Sequence, residues 1–525
     1  VTRSSIRGRP RGTTSHRSVR VAHAVLGGTA GVVWLVLPTA TRDGDGPVAV
    51  EPDRPAASAV AQDARNGEGD GPSAADLVLP LVTAGAVAVL AGYGRLRRIR
   101  RARTRTTPGG AAVEPPVPPL ADLDGSARAA LVEADDCVRT SREELDFAEA
   151  RSGAAAVAVF ARAVREAEAE LSAAFRMRQR YDDGVPGEAA ARRHALAGIV
   201  GRCREAGRLL DAEAGAFDRL RGLAADPGAA LEVAEARFRE LTGRTGAARA
   251  LLADLGGRYA PSAIAPVAGY AEQATDRLVF ATARLNRARQ AADAGDRARA
   301  AGQLRAAEGA VAQAAVLVAA VERLAAGLAT AAELVPAALT GAEAELAGVR
   351  EGPARAPAAA SGVSADELRT RIPHADAALA AVREELTGGP YDPLGALRRI
   401  VRAVAPLAAG RAGVLPVAAL LVARAAAGAA AGFVTTHRGA VGAEARTRLA
   451  EAERLLAADP PRPLAADALA RRARELAERD VRRHRRPAAE ADAVLGGILL
   501  GGAPDGGPPP SFGGPRTRAR RAAPP

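Results

Sequence analysis

The chain has 525 residues, a net charge of +12, and 72 basic side chains, every one an arginine. Eight Phe, five Tyr and one Trp are too few for large aromatic cores, whereas the abundance of alanine favours helix. The excess charge sits at the two ends: residues 1–105 carry 16 arginines against 8 acids, and 506–525 carry 4 against none. The long body between is balanced, which excludes a broad phosphate-binding face and makes nucleic acid an unfavoured partner.

Residues 1–20 are basic, with Arg3, Arg7, Arg9, Arg11, Arg17 and Arg20 and no acid. They precede an uncharged run, 21–41, that reads as a signal anchor or first transmembrane helix. A cleaved signal peptide is the other reading, but Pro38 stands where cleavage wants a small residue. Residues 42–76 are acidic and rich in Gly, Pro and Ala, the composition of a disordered loop. The sequence DGDG within it, Asp43–Gly46, starts like a calcium loop but lacks the downstream ligands.

A second uncharged run, 77–94, is long enough for a transmembrane helix, since a bilayer core takes about 20 apolar residues. It runs straight into Arg95, Arg97, Arg98, Arg100, Arg101, Arg103 and Arg105. Cationic flanks stay on the cytoplasmic side, so both arginine clusters are expected inside and the acidic loop outside. The seven arginines are also the candidate contacts to anionic lipid. Localisation at the plasma membrane, with the body in the cytoplasm, follows. Gly27 and Gly31, and Ala84, Ala88 and Gly92, have the small-residue spacing of packed spanning helices, a weak signal in so Ala- and Gly-rich a chain.

After a Pro-rich linker, 95–118, the pattern becomes helical. Apolar residues step by three and four through Leu131, Ala134, Val138, Ser141, Leu145 and Ala148, then Val157, Phe160, Val164, Ala167, Leu171 and Ala174. The rule continues through Leu196, Ile199, Cys203, Ala206, Leu210, Phe217 and Leu220, then Leu231, Ala234, Phe238, Leu241, Thr245, Ala248, Leu252, Leu255 and Tyr259. It resumes at Leu278, Ala281 and Leu285, and at Leu304, Ala307, Val311, Ala314, Val318 and Val321. Such seams must pair with other seams. Breaks at 182–188, at Asp226–Pro227 and at 259–266 predict helices of roughly 25–35 residues joined by short turns, hence antiparallel neighbours.

The expected fold is all-α: N-terminal transmembrane segments, then an elongated antiparallel helical bundle or coiled-coil array. One helical region covers 119–352, a linker 353–363, and a second helical region 364–486. Ser364 with Glu367 forms a capping box, and Asp392–Pro393 starts a helix. The apolar stretch 403–436 is interrupted by Arg411 and Arg424 and reads as a bundle helix rather than a third span. Residues 487–525 read as a disordered Gly/Pro/Arg tail whose RTRARR, 516–521, could touch lipid or nucleic acid.

No catalytic, cofactor or metal site is expected. The six histidines are scattered, no P-loop or G-x-S-x-G is present, and Cys137 and Cys203 lie on helical seams as packing thiols. The residues expected to carry function are seam positions such as Leu171, Leu210, Phe238 and Leu241. Their task would be packing, within the chain, against an unidentified protein partner, or against a second copy.

The segments Leu278–Ala325, YDPLGALRR, Thr435–Leu456 and ELTGRTGAA at Glu240–Ala248 resemble the actinobacterial TPM domain-containing membrane proteins. The resemblance covers nearly everything from about residue 75 onward. It implies a signal peptide, an extracytoplasmic TPM domain linked to phosphatase-like or assembly roles, a transmembrane helix, and a long cytoplasmic helical region. Residues 42–76 are far too few for a TPM domain. Phosphatase activity therefore does not carry over, and the chain looks like the helical half of the family, its external domain lost or cut short by the gene model. The expectation is a membrane-anchored, non-enzymatic scaffold or assembly factor.

Overall fold

The computed structural model describes residues 118–223, 225–351, 365–407, 413–484 and 511–522. Every regular element among them is a helix, as the all-α reading expects. The apolar runs 21–41 and 77–94, the loop 42–76, arginines 95–105, the linker 353–363, the Ser364–Glu367 box and residues 487–510 lie outside the described residues.

Helices α1 (Leu120–Ser152), α2 (Ala154–Asp182) and α3 (Ala189–Arg221) form a first bundle. Gly153, at φ 80°, separates α1 from α2 in a left-handed conformation that favours glycine. The pairs Arg142–Glu168 and Arg178–Asp124 show α1 and α2 antiparallel, and Arg202–Glu170 does the same for α2 and α3. Their shared core holds the seam residues Leu131, Phe160, Leu171, Leu196, Ile199, Leu210 and Phe217. The three-and-four spacing thus identified the packed face.

A second bundle comprises α4 (Pro227–Arg258), α5 (Tyr270–Asp293) and α6 (Arg297–Glu351), with short helical turns Pro261–Ile264 and Ala265–Val267 between α4 and α5. Asp226 caps α4 by accepting from the Ala229 N–H, with Pro227 in the first turn. Leu241 is buried here, while Phe238 is only half-buried at the side of the core.

The lengths predicted from the breaks hold for α1 to α4, of 33, 29, 33 and 32 residues, and α6 is longer than any of them. Its 55 residues span about 80 Å and pass through Pro336. A proline inside a helix costs about 3 kcal/mol, but buried Leu328, Ala331, Val335, Ala338, Leu339, Ala342 and Leu346 continue one face across it. Burial worth about 1.5–3 kcal/mol for each large side chain outweighs that cost.

The second half of α6 packs with α7 (Ala365–Thr387), α8 (Pro393–Val404) and α9 (Leu415–Thr436). Asp392 caps α8 through the Gly395 N–H at 2.9 Å. The end of α9 joins α10 (Ala443–Leu456) and α11 (Pro463–His484) in a last grouping. By length and composition α6 and α9 could each cross a membrane. Here both contribute to protein cores: Val311, Leu317 and Val321 of α6 against α4 and α5, and Ala418 and Val422 of α9 within the group around α6 and α8.

Two features depart from the expected extended array. First, the chain folds back, with α10 lying against α1 and α2 and Ala443 entering the first bundle's core. A buried charge cluster lies at this contact. Arg446, fully buried, donates to Asp135 at 2.6 Å, Asp136 at 2.7 Å and the Val441 carbonyl at 3.1 Å. Arg438 pairs with Glu143 at 2.7 Å beside it. Second, residues 511–522 are not a disordered tail: they end in a helix, α12 (Pro515–Ala522), seated on the first bundle.

Candidate peptide-docking site

The seat of 511–522 is built mainly from α1 and α3, with Phe160 of α2 at its side. Phe512 is completely buried, its ring stacked on Phe217 at 4.2 Å between centroids and edge-on to Phe160 at 6.0 Å. Phe160 and Phe217 are themselves edge-to-face at 5.2 Å. Burying a Phe stabilises by about 1.5–3 kcal/mol, and a well-oriented ring pair adds about 0.5–1.5 kcal/mol.

Main-chain groups of the segment are captured by side chains of the bundle. The Gly513 N–H donates to Ser141 Oγ at 3.1 Å. Asp211 Oδ1 accepts from the N–H of Gly514 at 2.9 Å, the N–H of Thr517 at 3.0 Å and the Thr517 hydroxyl at 2.7 Å. Its Oδ2 accepts from the Arg516 N–H at 3.3 Å. Asp211 of α3 therefore caps α12 from outside, where a carboxylate meets the unpaired N–H groups and the positive end of the dipole.

Close approach is secured by glycines. A Cβ added at Gly514 would overlap the Gly207 carbonyl, and one added at Gly207 would lie 2.6 Å from Pro515 Cδ. At the far end Arg518 donates to the Asp136 carbonyl at 2.8 Å and Arg521 pairs with Asp218. Two arginines of RTRARR are thus committed to protein groups, which weakens the reading of that tract as a lipid or nucleic-acid contact.

Asp218 leads into a buried polar junction between the first and second bundles. It is shared with Arg305 of α6 at 3.2 Å, and Arg305 approaches Glu144 of α1 at 3.5 Å. Glu144 in turn lies 3.4 Å from Arg221, which pairs with Glu308 of α6. Burial alone would lower the Arg221 pKa, but Glu308 and Glu144 outweigh it and hold the guanidinium ionised. Burial, reinforced by the nearby Glu144 carboxylate, pushes Glu308 up to about 7 from 4.5.

Between pH 4.5 and about 7 the folded chain therefore retains a Glu308 proton that the unfolded chain has released. The stability contribution of Glu308 is full below that window, falls as pH rises through it, and is level above it. Urea unfolding of wild type and Glu308→Gln at pH 5 and 7.5 should show a downward slope in wild type that is smaller in the variant.

Cys137 and Cys203 are buried free thiols in the first core, each pushed by burial up to about 12. The thiolate is the reactive form, so the folded protein should resist a maleimide at pH 7.5, both thiols reacting only after denaturation. Among the described residues no group of three or more His, Cys, Asp or Glu is placed to hold a metal ion. A cleft of about 450 Å³ between α1, α4 and α6 is lined by Glu143, Asp146, Arg237, Glu240, Arg244 and Arg323. Several of these charges are already engaged: Arg237 donates to the Asp146 carbonyl, Arg244 pairs with Glu322, and Glu143 with Arg438.

The sequence singled out Ser141, Phe160 and Phe217 as seam residues but not their partner. Asp211, Gly207 and the SFGGP stretch carry no periodic or capping signal of their own. The available signal was Phe512, an isolated aromatic in a Gly/Pro tract, followed by Gly-Gly-Pro at a helix start. The candidate lipid contacts Arg95–Arg105 fall outside the described residues.

Two curated proteins of Mycobacterium tuberculosis, from strains CDC 1551 / Oshkosh and H37Rv and both described as UPF0603 proteins, are similar to the chain. Each is 33% identical over 435 residues, a match covering 75% of this chain and 65% of the relative. The chain thus spans just under two thirds of those relatives' length. Their actinobacterial source agrees with the resemblance drawn from the sequence. No protein-family model matches, and no solved structure matches.

Proposed function

We propose that this chain is a membrane-anchored helical scaffold or assembly factor that acts through protein contacts. The runs 21–41 and 77–94 hold it at the plasma membrane, Arg95–Arg105 meet anionic lipid, and the helical body works in the cytoplasm. The reading assigns no catalysis to the body. One observation supports it above the rest: the first bundle captures consecutive main-chain N–H groups, an aromatic anchor and a short helix, which is the chemistry of peptide recognition.

Fractionation of cells expressing the full chain, followed by affinity purification in mild detergent, tests the proposal. The expected result is a chain released from membranes by detergent but not by salt, with a defined protein companion at fixed stoichiometry. A chain found in the soluble fraction, or one that purifies alone after in-cell cross-linking, overturns it.

A second reading draws on the greater length of the relatives. The helical body would be one part of a longer membrane protein, and any phosphatase-like activity would belong to a TPM domain outside the body. Recovery of an adjoining coding segment for such a domain would favour it.

A further inference from the structure

Three properties set the segment 511–522 apart from the body it touches. It is joined to α11 only through residues 485–510. It contributes one side chain, Phe512, to a core otherwise built by α1, α2 and α3 with Ala443 of α10. Its helix has 8 residues, and so short a helix does not persist alone in water. Docking and folding of the segment are therefore one event, and undocking removes a single side chain from the bundle's core.

We propose that the groove formed by Ser141, Phe160, Gly207, Asp211 and Phe217 is a peptide-binding site, occupied in cis by the chain's own residues 511–522 as a releasable latch. The inference rests on the protein-contact reading above and names its ligand: an aromatic residue, then Gly-Gly-Pro, then a cationic helix. Each feature of that ligand has a counterpart. The Phe160–Phe217 pair takes the ring, and the Gly207 backbone admits only a glycine at the position of Gly514. Asp211 caps the incoming helix, and Asp218 takes the arginine one and a half turns further on.

Cis occupation is favoured by effective concentration. A segment on the same chain meets the groove at a higher local concentration than a neighbouring copy supplies in dilute solution. Release would bare an aromatic notch beside a carboxylate with unfilled acceptor positions. The bared groove would then accept a segment of the same chemistry from another protein.

The test uses the full chain in detergent and a fluorescent synthetic peptide of residues 509–525. Phe512→Asp and, separately, Gly514→Val release the latch without altering any bundle residue. The peptide should bind both released variants saturably and bind wild type at least tenfold more weakly, because the groove there is filled. Adding Asp211→Ala to Phe512→Asp should abolish binding, as should replacing the peptide's Phe by Ala. Failure of the peptide to bind either released variant, or equal binding to wild type, overturns the proposal. So does a wild-type dimer that becomes monomeric in Phe512→Asp, which would place the segment on a second copy. Because the probe is the chain's own peptide, the result is independent of whether cells yield a partner.

Discussion

Replacing Arg446 with alanine should destabilise the protein by about 3–5 kcal/mol, the usual cost of leaving a buried charge without its partner. The guanidinium is fully buried and serves Asp135, Asp136 and three backbone carbonyls at once, those of Val132, Val441 and Arg438. Burial alone would raise the Asp135 pKa, but Arg139 and Arg446 more than offset it and hold the carboxyl below its ordinary range. Asp135 thus adds stability above pH 3.8 that is lost as pH falls through its lowered folded-state value.

Removing Arg446 also detaches α10 from α1, so the loss should be seen first at the end of the chain. Proteolysis of Arg446→Ala should cut between α9 and α11 under conditions that leave wild type intact, with a lowered urea midpoint. Arg446→Lys should recover little, because an ammonium cannot reproduce the planar fork that reaches several acceptors. An unchanged midpoint would mean that the cluster does not hold the fold closed.

Phe217→Ala has the second large expected effect, again about 3–5 kcal/mol. The ring is completely buried and belongs at once to the first bundle's core and to the seat of Phe512. Two consequences should therefore appear together: a lower thermal midpoint and release of residues 511–522. Phe217→Leu, which keeps most of the volume but not the stacked face, should restore much of the stability and little of the docking. Equal recovery of both would show that shape alone, without ring stacking, holds the segment.

How much of this was legible in the sequence depended on the physical range of each signal. Caps and breaks are local, so Asp226–Pro227 and Asp392–Pro393 marked true helix starts. Seams obey a period, so Leu131 through Ala174 and Leu196 through Phe217 were found on buried faces. The one-residue break at Gly153 was hidden among small residues that carry no pattern. Pro336 lies inside α6, where burial on both sides offsets a residue that ordinarily ends a helix.

Long-range pairing left weaker traces. Arg446 and Asp135 are separated by 311 positions, and each looks like an ordinary surface charge on an amphipathic helix. Their burial depends on a fold-back that no local pattern announces. The docking site was half visible: Ser141 is a hydroxyl within an apolar seam, a position that needs a donor once buried. That donor, the Gly513 N–H, lies in a tract whose composition predicts disorder. A binding segment of this kind is governed by a few anchors, and composition averages them away.

Amide hydrogen exchange of the full chain measures directly the seating of residues 511–522 in the first bundle. The amides of Gly513, Gly514, Arg516 and Thr517, all bonded to Ser141 or Asp211, should be protected in wild type and exchange freely in Asp211→Ala. Exchange at the rate of an unstructured peptide in wild type would contradict the docked segment, and with it the peptide-recognition chemistry on which the functional proposal rests.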